Sequence, residues 1–436
     1  MKYYLAIDIG ASSGRHIIGC YDNNHNLIME EIYRFKNSLK KCEDHLIWDI
    51  EEIFQEVKKG ISVCLKKYPH IESMSIDTWG VDYVLMNNNQ EIWPVFCYRD
   101  QRTKKIIEEV HNKISFDELY SITGSQFQEF NTIYQLYDDL KNNRLLNATD
   151  FLMIPEYLIY RLTGIKIKEY TNASTTGLLD SKTKTYSEKI ISSLGFNKEL
   201  FKPLSKPSTI VGDFSLDVQQ EVGGNILVKL CSTHDTASAV EGIPMEENAP
   251  YISSGTWSLL GIKIKEPITN KEAQNANYSN EYGPNYIRFQ KNIMGLWIIQ
   301  NLAKQLNLSF VEMVKMAQQS LYEEVFDVND ECFLSTMDMK QEIINYFSLR
   351  KMILPRTNND IINATFISLS HSYKESLDEL EKITKQKYGN LYIVGGGAKN
   401  QYLNELTAKI TKKRVIALPI EATARGNILS QMEDEE

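Results

Sequence analysis

The segment Asp8-Ile9-Gly10-Ala11-Ser12-Ser13-Gly14-Arg15 joins an acid and a base through a run of small residues. Small residues allow backbone N–H groups and hydroxyls to approach a phosphate closely. Asp8 could hold a hydrated Mg²⁺, and Arg15 could stabilise phosphoryl oxygens. A plain hairpin turn would explain the same residues. The chain contains no G-x-x-x-x-G-K-[ST] pattern, so a phosphate site here would not be a Walker A loop.

A second small-residue segment is Gly395-Gly396-Gly397, which follows an apolar run and precedes a predicted helix. Such a strand-to-helix junction favours nucleotide binding, because glycines permit close approach and a helix N-terminus attracts anions. The pattern departs from G-x-G-x-x-G, since Asn400 occupies the last place. A tight turn alone is the competing interpretation.

Asp235 is the candidate general base. It lies in Cys-Ser-Thr-His-Asp-Thr-Ala-Ser-Ala-Val at residues 231–240, between an apolar strand and the small residues of a helix start. A carboxylate at such a junction can accept a proton from a bound substrate. Alternatively, Asp235 or Thr236 is only the N-cap of the helix. His234 could equally be a buried imidazole with all its hydrogen bonds made.

Two segments have the composition of a sugar site. Residues 76–82 read Ile-Asp-Thr-Trp-Gly-Val-Asp, which places acids, an aromatic ring and Gly80 together. Polar groups bind hydroxyls and an aromatic face covers the carbon chain. A hairpin with Trp79 in the core is the alternative. Residues 291–297 contain Asn292, which needs a polar partner, beside apolar residues that core packing explains.

Strands and helices must position these residues. Residues 5–9, 16–21 and 27–35 alternate as three strands of an antiparallel meander. Asp49 and Glu52 fit the start of a helix whose apolar face extends to residue 65. A short strand is predicted at residues 74–78, one strand at residues 92–98, and a long helix at residues 360–385. The small-residue turn at residues 253–256 repeats the opening turn, which suggests two similar domains.

Composition narrows the function. The 436 residues carry 48 basic and 57 acidic side chains, for a net charge of −9. Such an acidic chain is a poor candidate for binding nucleic acid or an anionic membrane. The N-terminus lacks a signal-peptide pattern, and no apolar run is long enough to span a membrane. No C-x-x-C pair occurs, so we expect reduced thiols and a cytoplasmic location. The oligomeric state is not predicted.

Taken in order, these segments resemble the FGGY family of carbohydrate kinases over essentially the whole chain. The resemblance also includes residues 98–102, 131–136 and 169–173. The runs at residues 76–82 and 234–240 are the most specific, and they are similar to those of family members that act on the ketose L-rhamnulose. Members that act on xylulose or glycerol usually have Gly-Asp, followed by other residues, where this chain has His234-Asp235.

The resemblance implies an α/β fold with two ribonuclease-H-like domains of the actin/hexokinase type, facing each other across a cleft. Residues 1–241 would form the sugar-binding domain and residues 242–436 the nucleotide-binding domain. The implied reaction is ATP- and Mg²⁺-dependent phosphorylation of L-rhamnulose at O1, with Asp235 as the base. The implied sugar contacts are Gly80, His234, Asp235, Thr236 and Asn292. The implied ATP contacts are Ala11, Ser12, Ser13, Gly14, Arg15, Thr256, Gln300 and Gly397, with Asp8 holding the metal through water.

Three alternatives stay open. The first is a kinase for another ketose or polyol, such as fuculose, xylulose or glycerol. The second is an actin-like ATPase switch without sugar kinase activity, and the third is an inactive kinase. Family members continue for some tens of residues beyond the stretch that matches residues 421–427, whereas this chain ends at Glu436. We therefore expect an uncovered apolar face on the second domain and low thermal stability.

Overall fold

The computed structural model describes residues 1–245, 248–334, 336, 338–418 and 420–432. The chain forms two compact units. The first comprises Met1–Pro244, Ile264–Phe289 and Glu421–Glu436, and the second comprises Met245–Lys263 and Gln290–Ile420. The expected domain boundary at residues 241 and 242 stays a prediction, because compactness is a different criterion from a family domain.

The strands, in chain order, are β1 Tyr4–Ile9, β2 Ser13–Tyr21, β3 Leu27–Lys36, β4 Leu39–Cys42, β5 His45–Trp48, β6 Ser73–Thr78, β7 Tyr83–Asn87, β8 Gln90–Ile92, β9 Val95–Phe96, β10 Asp150–Met153, β11 Leu179–Asp180, β12 Thr185–Tyr186, β13 Ile210–Gly212, β14 Leu227–Lys229, β15 Tyr251–Ser254, β16 Trp257–Ile264, β17 Ser279–Tyr282, β18 Ile287–Met294, β19 Asn390–Val394 and β20 Arg414–Ala417.

The α-helices are α1 Ile50–Lys67, α2 Ile107–Lys113, α3 Phe116–Thr123, α4 Thr132–Lys141, α5 Ile154–Thr163, α6 Tyr170–Ala173, α7 Glu188–Leu194, α8 Leu216–Val222, α9 Asp235–Glu241, α10 Lys271–Asn275, α11 Trp297–Leu306, α12 Phe310–Gln318, α13 Met339–Leu349, α14 Asn358–Thr384, α15 Gln401–Thr411 and α16 Ala422–Met432. None of the helices within the described ranges is long and apolar enough to cross a membrane.

The main sheet of the first unit has the strand order β13-β14-β6-β1-β2-β3. The antiparallel meander β1-β2-β3 confirms the predicted one. Strand β1 also pairs in parallel with β6, and all of its residues are buried. The alternating pattern of β1 therefore does not indicate a solvent-exposed face, because neighbouring layers cover both faces of a central strand.

The second unit contains the same local arrangement. Strand β15 pairs antiparallel with β16 and parallel with β19, and β19 pairs in parallel with β20. In both units a hairpin therefore supplies the strand that pairs in parallel with later strands of the chain. This agrees with the two similar domains that the repeated small-residue turns predict.

Two helix predictions are confirmed in detail. Asp49 is the N-cap of α1 and accepts a hydrogen bond from the Glu52 backbone N–H. The long helix α14, Asn358–Thr384, agrees with the helix predicted at residues 360–385 to within two residues at each end. The single strand predicted at residues 92–98 is wrong. Strand β8 ends at Ile92 and β9 starts at Val95. Pro94 lies between them, and a proline has no N–H to donate to a ladder.

Helix α16 packs in the first unit, against α9, β1 and β6, although it follows the second unit in the chain. Its contact with α9 requires glycine. A Cβ atom on Gly426 would lie 1.8 Å from the Ser238 carbonyl oxygen, and one on Gly242 would lie 1.9 Å from the Ala422 carbonyl oxygen. Gln431 adds a hydrogen bond of 3.1 Å to the carbonyl oxygen of Leu5. Helix α16 therefore supports α9, the helix that begins with Asp235.

Candidate active site

Strand register brings together the charged residues at the ends of β1, β2 and β6. Asp8 stands opposite Arg15 on β2 and opposite Asp77 on β6. The Arg15 guanidinium donates to Asp8, and its other terminal nitrogen lies 2.5 Å from Glu421 Oε2. Asp8 and Arg15, for which the sequence predicts separate roles towards Mg²⁺ and phosphate, form an ion pair with each other. Glu421, which sequence reasoning did not assign to the site, completes it.

Asp77 is a second buried carboxylate at this edge. Asn427 on α16 donates to Asp77 Oδ2 at 2.6 Å, and Asp77 Oδ1 has no hydrogen-bond partner in the described part of the chain. Burial raises the pKa of Asp77 well above its ordinary value, and the charges of Asp8 and Asp235 add to the shift. Burial also raises the pKa of Asp8, against the opposing effect of Arg15. The edge therefore brings two carboxyl groups together in an environment that disfavours their ionised forms.

The opening turn itself is held by Asn37. The Asn37 side chain donates to the Gly10 carbonyl at 2.9 Å, its backbone N–H donates to the Ser12 carbonyl, and Gly10 N–H donates to Ser13. Gly14 is required by packing, because a Cβ atom there would lie 2.1 Å from the Phe35 ring. The glycine that sequence reasoning reserved for a phosphate therefore has a sufficient structural reason of its own.

Asp235 lies where α9 begins, beside the end of β6. A β-bridge pairs Thr78 with His234, and Thr78 N–H donates to the Thr233 carbonyl at 2.9 Å. Asp235 Oδ1 accepts from the Thr236 backbone N–H at 2.5 Å and from Thr236 Oγ1 at 3.0 Å, and it lies 3.4 Å from His234 Nε2. Its other oxygen, Oδ2, has no hydrogen-bond partner among the residues that the structure describes. One oxygen is thus fixed while the other can accept a proton.

The capping alternative is wrong in its simple form. The N-cap of α9 is His234, whose side chain makes no capping hydrogen bond, and Asp235 is the first helical residue. Asp235 still accepts from the N–H of Thr236, so it satisfies one of the open backbone donors of the first turn. A structural role therefore accounts for Oδ1 and leaves Oδ2 unexplained.

Glu169 supports the junction between β14 and α9 through hydrogen bonds to Thr233. This buried carboxylate accepts from the Thr233 N–H at 3.2 Å and from the Thr233 hydroxyl at 2.7 Å. Its own backbone N–H donates to Glu156 Oε1 at 2.7 Å. Burial raises the pKa of Glu169, and it raises the pKa of Glu156 to about 7. The resemblance included residues 169–173 without assigning a role, and the structure gives Glu169 that of support.

Gly80 precedes a strained residue. Val81 has a φ of 67°, which is unusual for a β-branched residue. Its N–H is held by Thr175 Oγ1 at 3.1 Å, and its carbonyl by the Thr132 hydroxyl at 2.7 Å. A Cβ atom on Gly80 would lie 2.9 Å from the Thr175 side chain. Strain held this firmly is typical of binding sites.

Asp82, which follows Val81, stabilises the same turn through hydrogen bonds to two tryptophans. It is fully buried and accepts from the indole N–H groups of Trp48 and Trp79 at 2.7 and 2.9 Å. Burial raises its pKa to about 6. The two indole rings lie 4.3 Å apart, and Trp79 is buried. Trp79 is therefore a core residue, as the alternative interpretation of this segment held.

Two charged residues near His234, Arg288 and Glu281, were not identified from the sequence. Arg288 on β18 is fully buried, and its Nη2 lies 3.2 Å from His234 Nδ1 and 3.1 Å from Glu281 Oε2. Residues 281 and 288 are some fifty positions from His234, in a segment without a motif. No signal in a single sequence could have connected them.

In the second unit, the candidate nucleotide residues make two separate local contacts. Ser253 on β15 stands opposite Val394 on β19, directly before residues 395–397. A Cβ atom on Gly397 would lie 2.0 Å from Ser254 Oγ, and Gly395 has a φ of 82°. The Thr256 hydroxyl donates to Gln300 Oε1 at 3.4 Å. Asn292 is half-buried on β18.

The comparisons with known proteins agree with this architecture. The model of the N-terminal domain of the FGGY family of carbohydrate kinases matches residues 3–242, and that of the C-terminal domain matches residues 250–433. A rhamnulokinase from Oceanobacillus iheyensis is 42% identical over 435 residues, which cover 98% of this chain and 92% of the relative. A rhamnulokinase from Halalkalibacterium halodurans is 40% identical over 437 residues, covering 99% and 93%.

Solved structures show the same fold. A gluconate kinase from Lactobacillus acidophilus aligns with a TM-score of 0.82 at 16% identity, covering 99% of this chain and 89% of that one. A xylulose kinase from the same organism aligns with a TM-score of 0.83 at 16% identity and the same coverage. The expected two-domain α/β fold is confirmed. The chain belongs to the FGGY family of carbohydrate kinases, and it is therefore an enzyme that transfers a phosphoryl group from ATP to a sugar.

Proposed function

We propose that this enzyme phosphorylates L-rhamnulose at O1, with Asp235 as the general base. The relatives at 42% and 40% identity are named rhamnulokinases. The observation that carries the proposal is the asymmetry of the Asp235 carboxylate, whose Oδ1 is anchored by Thr236 while Oδ2 remains open to a substrate hydroxyl.

The mechanism is an in-line transfer. Asp235 Oδ2 takes the proton of the sugar O1 hydroxyl as O1 attacks the terminal phosphorus of ATP, and the bond from that phosphorus to the leaving oxygen of ADP breaks. Positioning supplies most of the rate, because phosphoryl transfer needs little covalent chemistry from the protein. A general base contributes about 10²–10⁴-fold.

The sugar contacts that we propose lie around Asp235 or come from the family resemblance. Gly80 and His234 belong to segments that a β-bridge at Thr78 joins, and Thr236 follows the base directly. Asn292 is proposed from the resemblance alone. Polar groups of this kind discriminate among ketoses, since a substrate without the matching hydroxyl leaves them unpaired.

For ATP we propose the small-residue turns. The proposed contacts are Ala11, Ser12, Ser13, Gly14, Arg15, Thr256, Gln300 and Gly397. The hydrogen bond between Thr256 and Gln300 supports a common role for these two residues of the second unit. Residues 1–241 and 242–436 are the domains that we propose for sugar and nucleotide.

The carboxyl groups of Asp8 and Asp77, at the edge of the main sheet of the first unit, suit a Mg²⁺ ion. Asp77 Oδ1 is buried without a described partner, and Asp8 lies opposite it. The described residues contain no group of three or more potential protein ligands. Mg²⁺ commonly takes one or two carboxylates and completes its shell with water and phosphate. Asp8, through water, would hold the ion, which supplies positive charge to the phosphates. The described cysteines are unpaired thiols, which suits the cytoplasmic location that we propose.

The test is sugar-dependent ADP release with L-rhamnulose, L-fuculose, D-xylulose and glycerol. We expect kcat/KM for L-rhamnulose to exceed that for glycerol by up to ~10⁴-fold, because buried hydroxyl-binding groups reject a substrate that leaves them unpaired. Equal turnover of glycerol would contradict the substrate assignment. ADP release that does not depend on any sugar would instead identify an ATPase switch.

A further inference from the structure

Arg288 is buried at a cost that the fold alone does not explain. Its side chain is fully inaccessible, and its Nη1 has no hydrogen-bond partner among the described residues. Its Nε donates to the Tyr282 carbonyl at 3.2 Å, and its Nη2 lies between Glu281 and His234. A buried charge with an unmade hydrogen bond is expensive, and a hydrophobic residue of similar size would often serve stability better.

The position of Arg288 decides where His234 carries its proton. A guanidinium only donates hydrogen bonds. His234 Nδ1, 3.2 Å from Arg288 Nη2, must therefore accept, and the ring proton then belongs to Nε2. Nδ1 is also 3.4 Å from Glu281 Oε2, but that carboxylate already has the guanidinium at 3.1 Å.

His234 Nε2 lies 3.4 Å from Asp235 Oδ1. A proton on Nε2 makes this approach attractive, whereas a lone pair there would repel the carboxylate. Such contacts are often long in a protein without substrate and shorten when the substrate binds. Together with Thr236, the imidazole would hold Oδ1 and keep Oδ2 turned towards the substrate.

We propose that Arg288 is a positioning residue that acts through His234: it fixes the proton on Nε2, and this proton orients the Asp235 carboxylate for proton transfer. The inference rests on the proposed function, because it assumes that Asp235 is the base. Arg288 does not touch the reacting atoms. Its effect on the reaction passes entirely through the tautomer of His234.

The experiment reads the tautomer directly. Protein labelled with ¹⁵N-histidine is examined by long-range ¹H–¹⁵N NMR at pH 8, and the His234 signals are assigned from their loss in His234→Gln. In the wild type we expect Nε2 protonated and Nδ1 unprotonated. In Arg288→Met the nearest described charged partner of Nδ1 is Glu281, an acceptor, so we expect a proton on Nδ1. Nδ1 protonated in the wild type would overturn the inference, even if Arg288→Met does not fold.

The kinetic measurements separate positioning from general damage. Arg288→Met should lower kcat about 10²-fold, the cost of a displacement of about 1 Å at a reacting group, with little change in KM for ATP. Arg288→Lys keeps a group that only donates, so it should restore the Nε2 tautomer and part of the rate. Loss of rate in Arg288→Met with Nε2 still protonated would contradict the inference, because the rate would then have changed without a change in the His234 tautomer.

A matched control removes another ion-paired arginine of the same unit. Arg161 pairs with Glu51 and Glu91 at 3.0 Å each, and Arg161→Met should leave the His234 tautomer unchanged. Asp235→Asn separates this inference from the proposed function. If Asp235→Asn stays active, the general-base proposal fails. If Asp235→Asn is inactive while Arg288→Met keeps the wild-type tautomer and rate, only the role of Arg288 is wrong.

Discussion

Charged side chains support the candidate residues around Asp235 in the first unit, whereas close packing supports residues 395–397 of the second unit. Around Asp235 the supports are buried carboxylates, such as Glu169, that accept several hydrogen bonds each. In the second unit, residues 395–397 contribute no charged side chain, and contacts with Ser254 require glycine at positions 395 and 397. The comparison indicates which changes will do harm: removal of a supporting charge around Asp235, and addition of a methyl group at a closely packed glycine in either unit.

The largest effect should come from Asp235→Asn. The amide keeps the shape, and its oxygen can still accept from Thr236, so we expect a folded protein with both substrates bound. It cannot take the proton of the sugar hydroxyl, so kcat should fall by about 10²–10⁴-fold. The measurement is the rate of rhamnulose-dependent ADP production.

Asp235→Ala is the companion variant. It removes the hydrogen bond to the Thr236 N–H as well, and loss of such a bond at a helix start typically costs about 1 kcal/mol. Comparison of the two free energies of unfolding therefore isolates the structural role. An Asp235→Asn enzyme that retains most of its rate would show that the structural role is the whole role.

The second prediction concerns the buried charge of Glu156. Its pKa is 4.5 in an exposed setting and about 7 in the folded protein, because burial disfavours the ionised form. Between these values the folded state binds more protons than the unfolded state, so Glu156 lowers stability progressively as pH rises from 4.5 to 7. A shift of this size corresponds to roughly 3 kcal/mol.

Glu156→Gln removes this titration. The variant loses one acceptor for the backbone N–H groups of Met153 and Glu169, which is a cost at every pH. Relative to the wild type, however, its free energy of unfolding should improve as pH is raised from 5 to 8 in urea titrations. A constant difference between Glu156→Gln and the wild type would mean that Glu156 does not titrate in this range.

The third prediction tests packing within the first unit. In Gly426→Ala the new methyl group would lie 1.8 Å from the Ser238 carbonyl, so α16 and α9 must separate. Overpacking of this kind costs about 1–3 kcal/mol. Because α9 starts with Asp235, kcat should fall as well.

Gly389→Ala is the matched control for Gly426→Ala. A Cβ atom at Gly389 would meet nothing within 4 Å, so its melting temperature and rate should equal those of the wild type. If Gly426→Ala loses stability and keeps full kcat, then α16 supports the fold without positioning the base.

Much of the architecture could be predicted from local patterns. Asp49 and Glu52 marked the start of α1, and the meander followed from the alternation in residues 5–35. Contacts between distant segments could not be predicted from the sequence. Nothing local indicates that Asn427 donates to Asp77, or that Arg288 reaches His234. Such pairs depend on how the helices and strands pack, and a single sequence carries no record of that.

The presence of glycine has two possible explanations at two of the candidate ATP contacts. Gly14 and Gly397 are predicted ATP contacts, since glycine allows close approach of a ligand. In the structure their nearest neighbours are protein atoms, the Phe35 ring for Gly14 and Ser254 for Gly397. Glycine signals close approach without saying what approaches. The role of Gly397 towards ATP therefore stays a prediction and needs a test that separates the two causes.

The smallest effect should distinguish these causes at Gly397. Gly397→Ala alone would place a methyl group 2.0 Å from Ser254 Oγ, so lower stability is expected whatever the role of ATP. Ser254→Gly removes the clashing side chain, and the double variant should regain most of the lost stability. If Gly397 also approaches the nucleotide, ATP affinity measured by calorimetry should remain about tenfold weaker than in Ser254→Gly, which corresponds to 1.4 kcal/mol. Sugar binding without ATP should be unchanged in all three variants. Full recovery of ATP affinity in the double variant would leave Gly397 with a packing role only, and the nucleotide contact would then have to be sought at Gly396, where an added Cβ atom has no protein atom closer than 3.9 Å.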